Sequence, residues 1–325
     1  MTNPILVDVT RGDLVESIHR GAIAIVDAEE VSRFALGDVE SLVYTRSSLK
    51  PIQALPLIES GAAEAFGVSD DEVALACASH SGEAVHTGTV EEWLDRIGCS
   101  EADLACGPQA PRHEPTLRNM LANQEKPSRL HNNCSGKHAG FLTLAKHLGA
   151  PIAGYVAIAH PVQQAVLATL TRLSGVAHPA SGIDGCAAPN FAIPLTAFAR
   201  ALAQIAGKKT PGAERILRAM MSYPELVGGS GRFCTQVMRA ANGKAAVKVG
   251  AEGVYAAMLP TLGLGVAIKI DDGAVRGAEV VLAAVLEKLG VLDAKAGLTR
   301  HPITNTVGAN VGEIRVATTL ATIVL

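Results

Sequence analysis

Thr45-Arg46-Ser47-Ser48-Leu49-Lys50-Pro51, with the apolar run 52–58 behind it, is the stretch that decides how this chain is read. It follows Leu42-Val43-Tyr44, a short β-prone run, so it reads as a strand turning into a helix. Ser47 or Ser48 falls at the N-cap and Pro51 in the first turn. Ser47 and Lys50 then stand at i and i+3, a spacing that puts two side chains on one helix face. The Lys50 amine can therefore reach the Ser47 hydroxyl. Serine is a weak nucleophile until a base takes its proton. Lysine is such a base only when neutral, which burial or a neighbouring positive charge such as Arg46 promotes. Alone the S-x-x-K pattern is a weak signal, found about once by chance in a chain this long. A capping serine before a surface lysine is its plainer explanation.

Working outward, residues 5–9 and 22–26 read as strands, and 245–249, 253–259 and 265–270 resume that pattern late in the chain. Between them, helical spacing covers 71–79, 90–97, 115–123, 137–148, 161–173, 194–205 and 212–221, with Gly149 as a C-terminal stop. Asp271-Asp272-Gly273 reads as a hairpin turn, 276–289 as a helix and 313–325 as a terminal strand. Strands at both ends and helices between them predict one α/β (α+β) domain over 1–325. Its sheet is built from both chain ends and flanked by helices, with a mainly helical region at about 51–240. The Gly228-Gly229-Ser230-Gly231 run is too short for a linker and reads as a tight loop.

The 325 residues are 48% hydrophobic and 18% charged, enough for a large core. Aromatics are only 3%, so that core rests on Ala, Val, Leu and Ile. Lys plus Arg is 28 against 31 Asp plus Glu, a net charge of −3 with no basic stripe, which speaks against a nucleic-acid partner. No apolar run approaches the length of a membrane span. The N-terminus lacks a signal-peptide pattern, so a cytoplasmic location is the expectation. The six cysteines are then expected as free or metal-bound thiols rather than disulfides.

Three further segments carry candidate chemistry. Lys248-Val249-Gly250 on a late strand follows the order of serine β-lactamases, where S-x-x-K opens a helix and K-[TS]-G lines the site from a strand. Here Val249 replaces the hydroxyl residue, and an ordinary strand lysine fits as well. Ala78-Ser79-His80-Ser81-Gly82-Glu83 ends a predicted helix and offers a second serine for Lys248, or simply capping groups. His131-Asn132-Asn133-Cys134-Ser135-Gly136-Lys137-His138 and Asp184-Gly185-Cys186 hold two lone cysteines in polar loops. Thiolates suit zinc, although lone cysteines are often plain buried residues. By general metal chemistry His138 is the third ligand to expect. Lys137 has no lone pair until it loses its proton.

Taken together, these segments resemble the Rhizobium etli-type (class 3) L-asparaginases, the asparaginase II family, over nearly the whole chain. The resemblance implies a fold similar to serine β-lactamases and glutaminases, a homodimer, and hydrolysis of L-asparagine to L-aspartate and ammonia. It implies two serine–lysine tandems, Ser47 with Lys50 and Ser79 with Lys248, and Ser47 as nucleophile. It also implies a zinc ion on Cys134, Lys137 and Cys186, which moves His138 to a neighbouring role. Arg46, Asp184 and Glu252 match polar residues lining the family's site. Cys234 matches a site-adjacent cysteine to which no chemistry is given. Competing readings are a penicillin-recognising serine hydrolase, a glutaminase, or a zinc-dependent ligand-binding protein without turnover.

Overall fold

The computed structural model describes residues 2–325, which divide into two compact units. The first comprises the chain up to Ser48, Ile193–Gly207 and Val237–Leu325. Seven of its strands lie in the order Arg300–Thr304, Asn310–Val316, Ile5–Arg11, Leu14–Asp27, Leu264–Ile270, Val254–Leu259 and Ala246–Val249. An eighth, Ser32–Leu36, pairs with Leu14–Asp27, and every pairing in this sheet is antiparallel. Both chain ends therefore build one sheet, as expected. Val254–Leu259 is buried at every residue, so both faces of the sheet are covered there. The helices Leu195–Ala206 and Val275–Lys288 pack on it. Gly265 lets the first of them come close: a Cβ there would fall 2.2 Å from the Ala199 oxygen and 2.3 Å from the Ala203 nitrogen.

Two sequence expectations change, and one strand is added. Asp271-Asp272-Gly273 does not turn a hairpin; it leads from the strand Leu264–Ile270 into the helix Val275–Lys288. Asp272 Oδ1 accepts from the Ala274 N–H at 2.9 Å, and Gly273 takes a φ of +78°. The same Asx-turn chemistry serves both kinds of corner, so the signal marks a turn without specifying whether a strand or a helix comes next. The terminal strand stops at Val316 and a short helix, Thr318–Ala321, succeeds it. Arg300–Thr304 is a strand that Pro302 had masked; it lies at the sheet edge, where a missing N–H costs no ladder bond.

The second unit, Leu49–Ala192 with Lys208–Gln236, is mainly helical. Its central element is the helix Ser135–His147, buried continuously from Ser135 to Ala145. The helices Lys50–Glu59, Asp70–Ala76 and Ala84–Arg96 pack around it. A helix enclosed on every side needs no polar stripe, which explains the weak amphipathicity of this segment. Gly136 sets the crossing with Asp70–Ala76, since a Cβ there would lie 2.5 Å from the Leu75 oxygen. The unit also holds a hairpin, Ala180–Ile183 with Pro189–Pro194.

The overall class, mixed α/β with a mainly antiparallel sheet flanked by helices, is the one expected. No helix among the described residues is long and apolar enough to cross a membrane.

Candidate active site

Lys50 is the first residue of the helix Lys50–Glu59, with Pro51 beside it in the first turn. Ser47 and Ser48 lie ahead of the helix, in the 3-10 turn Arg46–Leu49, and Leu49 takes the cap position. Ser48 is buried and donates to the Thr45 carbonyl, whereas Ser47 is half-buried. Lys50 is 1% exposed. Its Nζ donates to the Ala78 carbonyl, to Ser79 Oγ at 3.1 Å and to the Asn133 carbonyl at 3.2 Å.

Ser79 stands just past the helix Asp70–Ala76 and its C-cap Cys77, not within it. Its loop is fastened on several sides. The Ser79 N–H donates to the Val227 carbonyl at 3.0 Å. His80 Nε2 donates to Ser135 Oγ at 2.9 Å, while Ser135 itself donates to the Leu130 carbonyl. Ser81 Oγ donates to the Gly228 carbonyl at 2.9 Å, and Glu83 receives the N–H and hydroxyl of Ser230. The Gly228–Gly231 run is thus a tight loop backing the site segment. Gly229 is required: a Cβ on it would lie 2.0 Å from Ser81 Oγ.

A second cluster adjoins the first through Asn133. The backbone carbonyl of Asn133 receives Lys50, and its side-chain oxygen receives the Cys134 thiol at 3.1 Å. Cys134 precedes the central helix, which carries Lys137 and His138 in its first turn. Cys186 comes from the turn of the 180–194 hairpin and lies 3.0 Å from Lys137 Nζ. Its interaction with Cys134, helped by Lys137, brings the Cys186 thiol down to about 4 against the opposing effect of burial. Cys134 moves the other way, to about 12, because Cys186 and burial both disfavour its charge. Burial alone would lower Lys137, but the sulfurs of Cys186 and Cys134 outweigh it and move it upward.

Cys134, Lys137 and Cys186 are also the donors that can hold a cation. Sulfur suits zinc. Among the described residues no three His, Cys, Asp or Glu side chains gather into a cation site. A three-ligand set therefore needs the lysine, and the lysine must give up its proton to serve.

Sequence reading missed three participants. Cys106 is fully buried and pushed up to about 12, by burial first and then by Cys134 and Cys186 nearby. It shares the signal of the other two, a lone cysteine next to Gly or Ser in a polar loop. Asn133 acts through its backbone oxygen, which no side-chain pattern reveals. Tyr155 contacts His138, 2.6 Å from its Nδ1.

The other predicted residues are distributed over both units. Asp184 sits in the hairpin turn with Cys186; its backbone N–H donates to the Ala188 carbonyl. Ala187, next to Cys186, takes a φ of +70°. Cys234 is buried in the helix Phe233–Ala241. In the other unit Arg46 and Glu252 lie 3.9 Å apart and both adopt positive φ, +50° and +57°. Such backbone is uncommon outside glycine and gathers at functional positions. Lys248 is fully buried on the strand Ala246–Val249 and donates to the Val249 carbonyl at 2.8 Å.

Residues 7–316 match the family described as L-asparaginase II. The chain belongs to the L-asparaginase II family. It is accordingly an amidohydrolase. Among solved structures, a protein of Bacteroides dorei assigned as a β-lactamase is 14% identical, covering 76% of this chain and 84% of that one, with a TM-score of 0.43. A Bacillus subtilis glutaminase, YbgJ, solved as a covalent complex with 5-oxo-L-norleucine, is 13% identical over 84% of this chain and 88% of that one, TM-score 0.40. A β-lactamase of Mycobacterium bovis is 13% identical over 82% and 94%, TM-score 0.36. No curated protein matched this L-asparaginase II family member in a sequence search.

Proposed function

We propose that this amidohydrolase cleaves the side-chain amide of L-asparagine, releasing L-aspartate and ammonia. The observation that carries the reading is the buried Lys50 amine, anchored on two carbonyls and a serine hydroxyl rather than on a carboxylate. An amine so placed has hydroxyl chemistry as its natural task.

In the proposed first step Lys50, in its neutral form and so donating only two of those three hydrogen bonds, takes the proton of Ser47, which stands three residues ahead of it. The Ser47 oxygen attacks the amide carbon, and N–H groups at the helix start stabilise the oxyanion. The C–N bond breaks and ammonia leaves with a proton passed through Ser79, with Lys248 as the second tandem's base. Water then attacks the ester carbon, returns a proton to Ser47 and frees aspartate. Arg46, Asp184, Glu252 and His138 are the groups assigned to hold the substrate. A zinc ion on Cys134, Lys137 and Cys186, when bound, supplies a fixed positive charge suited to positioning substrate.

The test is ammonia release from L-asparagine and L-glutamine, with and without added zinc. Turnover of asparagine well above that of glutamine is the expected result. No ammonia from either amide, or equal rates on both, would sink the proposal.

A further inference from the structure

His138 is assigned above to hold substrate, and its buried Nε2 is the atom whose part in that task remains to be defined. The side chain is 0% exposed. Its Nδ1 lies 2.6 Å from the Tyr155 hydroxyl, and the Ala105 N–H donates to the same hydroxyl at 2.8 Å. Its Nε2 is buried with no hydrogen-bond partner among the described residues. Phe141 and Tyr155 meet the imidazole edge-on, with ring centres at 5.9 and 5.5 Å, and Tyr155 is itself tied down by Gln163, whose amide donates to the Tyr155 backbone carbonyl at 2.9 Å.

Counting protons decides the tautomer. A hydroxyl has one hydrogen and two lone pairs. With the proton on Nδ1, the Tyr155 oxygen would accept from both Ala105 and His138. Its own hydrogen would then meet nothing, and Nε2 would be a buried lone pair without a donor. With the proton on Nε2, Tyr155 accepts from Ala105 and donates to Nδ1, and only the Nε2–H is left over. Buried polar groups without partners are costly, so one orphan is preferred to two. The remaining orphan is a donor, and a protonated Nε2 has no lone pair to give a metal. Two cations act on the ring, Lys137 as the next residue and Lys50, against one opposing sulfur, Cys134.

We infer that Tyr155 is a positioning residue that locks His138 as the Nε2–H tautomer, and that this N–H donates to a carboxylate oxygen of an amino-acid ligand. The identity of that ligand rests on the amidohydrolase reading; the tautomer does not.

The experiment is a long-range proton–nitrogen correlation spectrum of the full chain labelled with ¹⁵N-histidine, His138 being assigned by its loss in His138→Gln. The expected spectrum shows a pyridine-like Nδ1 and a pyrrole-like Nε2, and L-aspartate titration shifts the Nε2–H signal. Tyr155→Phe mixes the tautomers and weakens aspartate binding about tenfold, the effect of one charge-assisted hydrogen bond. KM on the substrate rises by a similar factor while kcat changes little. A pyrrole-like Nδ1 in the unmodified protein overturns the lock. An Nε2–H signal indifferent to aspartate overturns the carboxylate assignment. Should Tyr155→Phe fail to fold, the spectrum of the unmodified protein still decides the tautomer. Aspartate binding kept in His138→Gln, which retains a terminal N–H, but lost in His138→Leu supports the donor role, and equal binding by both refutes it. A correct tautomer in a protein that releases no ammonia would remove the proposed activity and leave the lock standing.

Discussion

The Lys50 amine stands 3.1 Å from the Ser79 hydroxyl oxygen, buried, with no carboxylate paired to it among the described residues. Two backbone carbonyls, Ala78 and Asn133, complete its surroundings. Replacing it therefore separates chemistry from folding. Lys50→Met should lower kcat by about a thousandfold or more, as losses of a general base do. It should cost about 1–3 kcal/mol of stability through the carbonyls left unpaired. Ammonia release and a thermal melt measure the two effects; a rate within tenfold of the parent would speak against Lys50 as the base.

Two serines lie within the proposed chemistry, and their variants should differ. Ser47→Ala is expected to remove turnover by several powers of ten, while Ser79→Ala loses about 10²–10⁴-fold as a proton carrier would. Mass spectrometry of the enzyme after quenching should find the acyl group on Ser47. An acyl group on Ser79 instead would exchange the two roles.

Cys134 and Cys186 are the two thiols assigned to zinc, and Cys106 is not. Elemental analysis of the purified protein should give about one zinc per chain, as a site with two thiolate ligands implies. Cys134→Ser and Cys186→Ser should each lose it, whereas Cys106→Ser should keep it. Retention of the metal in Cys186→Ser would remove that residue from the ligand set.

Acid should weaken the helical unit through Asp70. Its carboxylate receives Arg218 Nε at 2.8 Å and Arg215 Nε at 3.0 Å. The hydrogen bond from Arg218, with Arg215 adding, holds its pKa below the ordinary 3.8. The unfolded chain then binds this proton more readily than the folded one, so the stabilisation is present above pH 3.8 and fades as pH falls through the lower folded value. Melts recorded from pH 5 down to pH 2 should fall less steeply in Asp70→Asn than in the parent, from a lower starting point. Parallel curves would mean that Asp70 contributes nothing to the acid limb.

Gly136 sits at a tight helix crossing in that unit. In Gly136→Ala the new Cβ would meet the Leu75 backbone oxygen at 2.5 Å, and neither backbone can yield cheaply. A loss of about 1–3 kcal/mol is expected from such overpacking. Because Gly136 lies between Cys134 and Lys137, zinc content should fall with it. An unchanged melting temperature would show that the helices separate freely.

Much of this architecture was legible in the chain. The strands at both ends, the helix opened by Lys50 and the buried segment after Cys134 all follow from periodicity and from Pro and Gly placement, which local physics dictates. Ser79 was placed inside a helix that in fact stops before it, because Cys77 takes the cap without any glycine to announce the end. The Asp271-Asp272-Gly273 corner misled because turn residues encode a bend, not the element beyond it. Cys106 and Tyr155 lie 28 and 21 residues from Cys134 in sequence and reach the cluster only through tertiary packing, while Asn133 adjoins Cys134 and takes part through its backbone. Their contribution is a buried sulfur, a backbone oxygen and a remote hydroxyl, none of which a motif spells out.

The many fastenings of the 79–83 segment have a consequence for how the enzyme meets its substrate. A loop already immobilised by Val227, Ser135, Gly228 and Ser230 has surrendered its freedom during folding, before any ligand arrives. Association should then proceed close to lock-and-key, with a rate set by encounter rather than by a slow rearrangement of this segment.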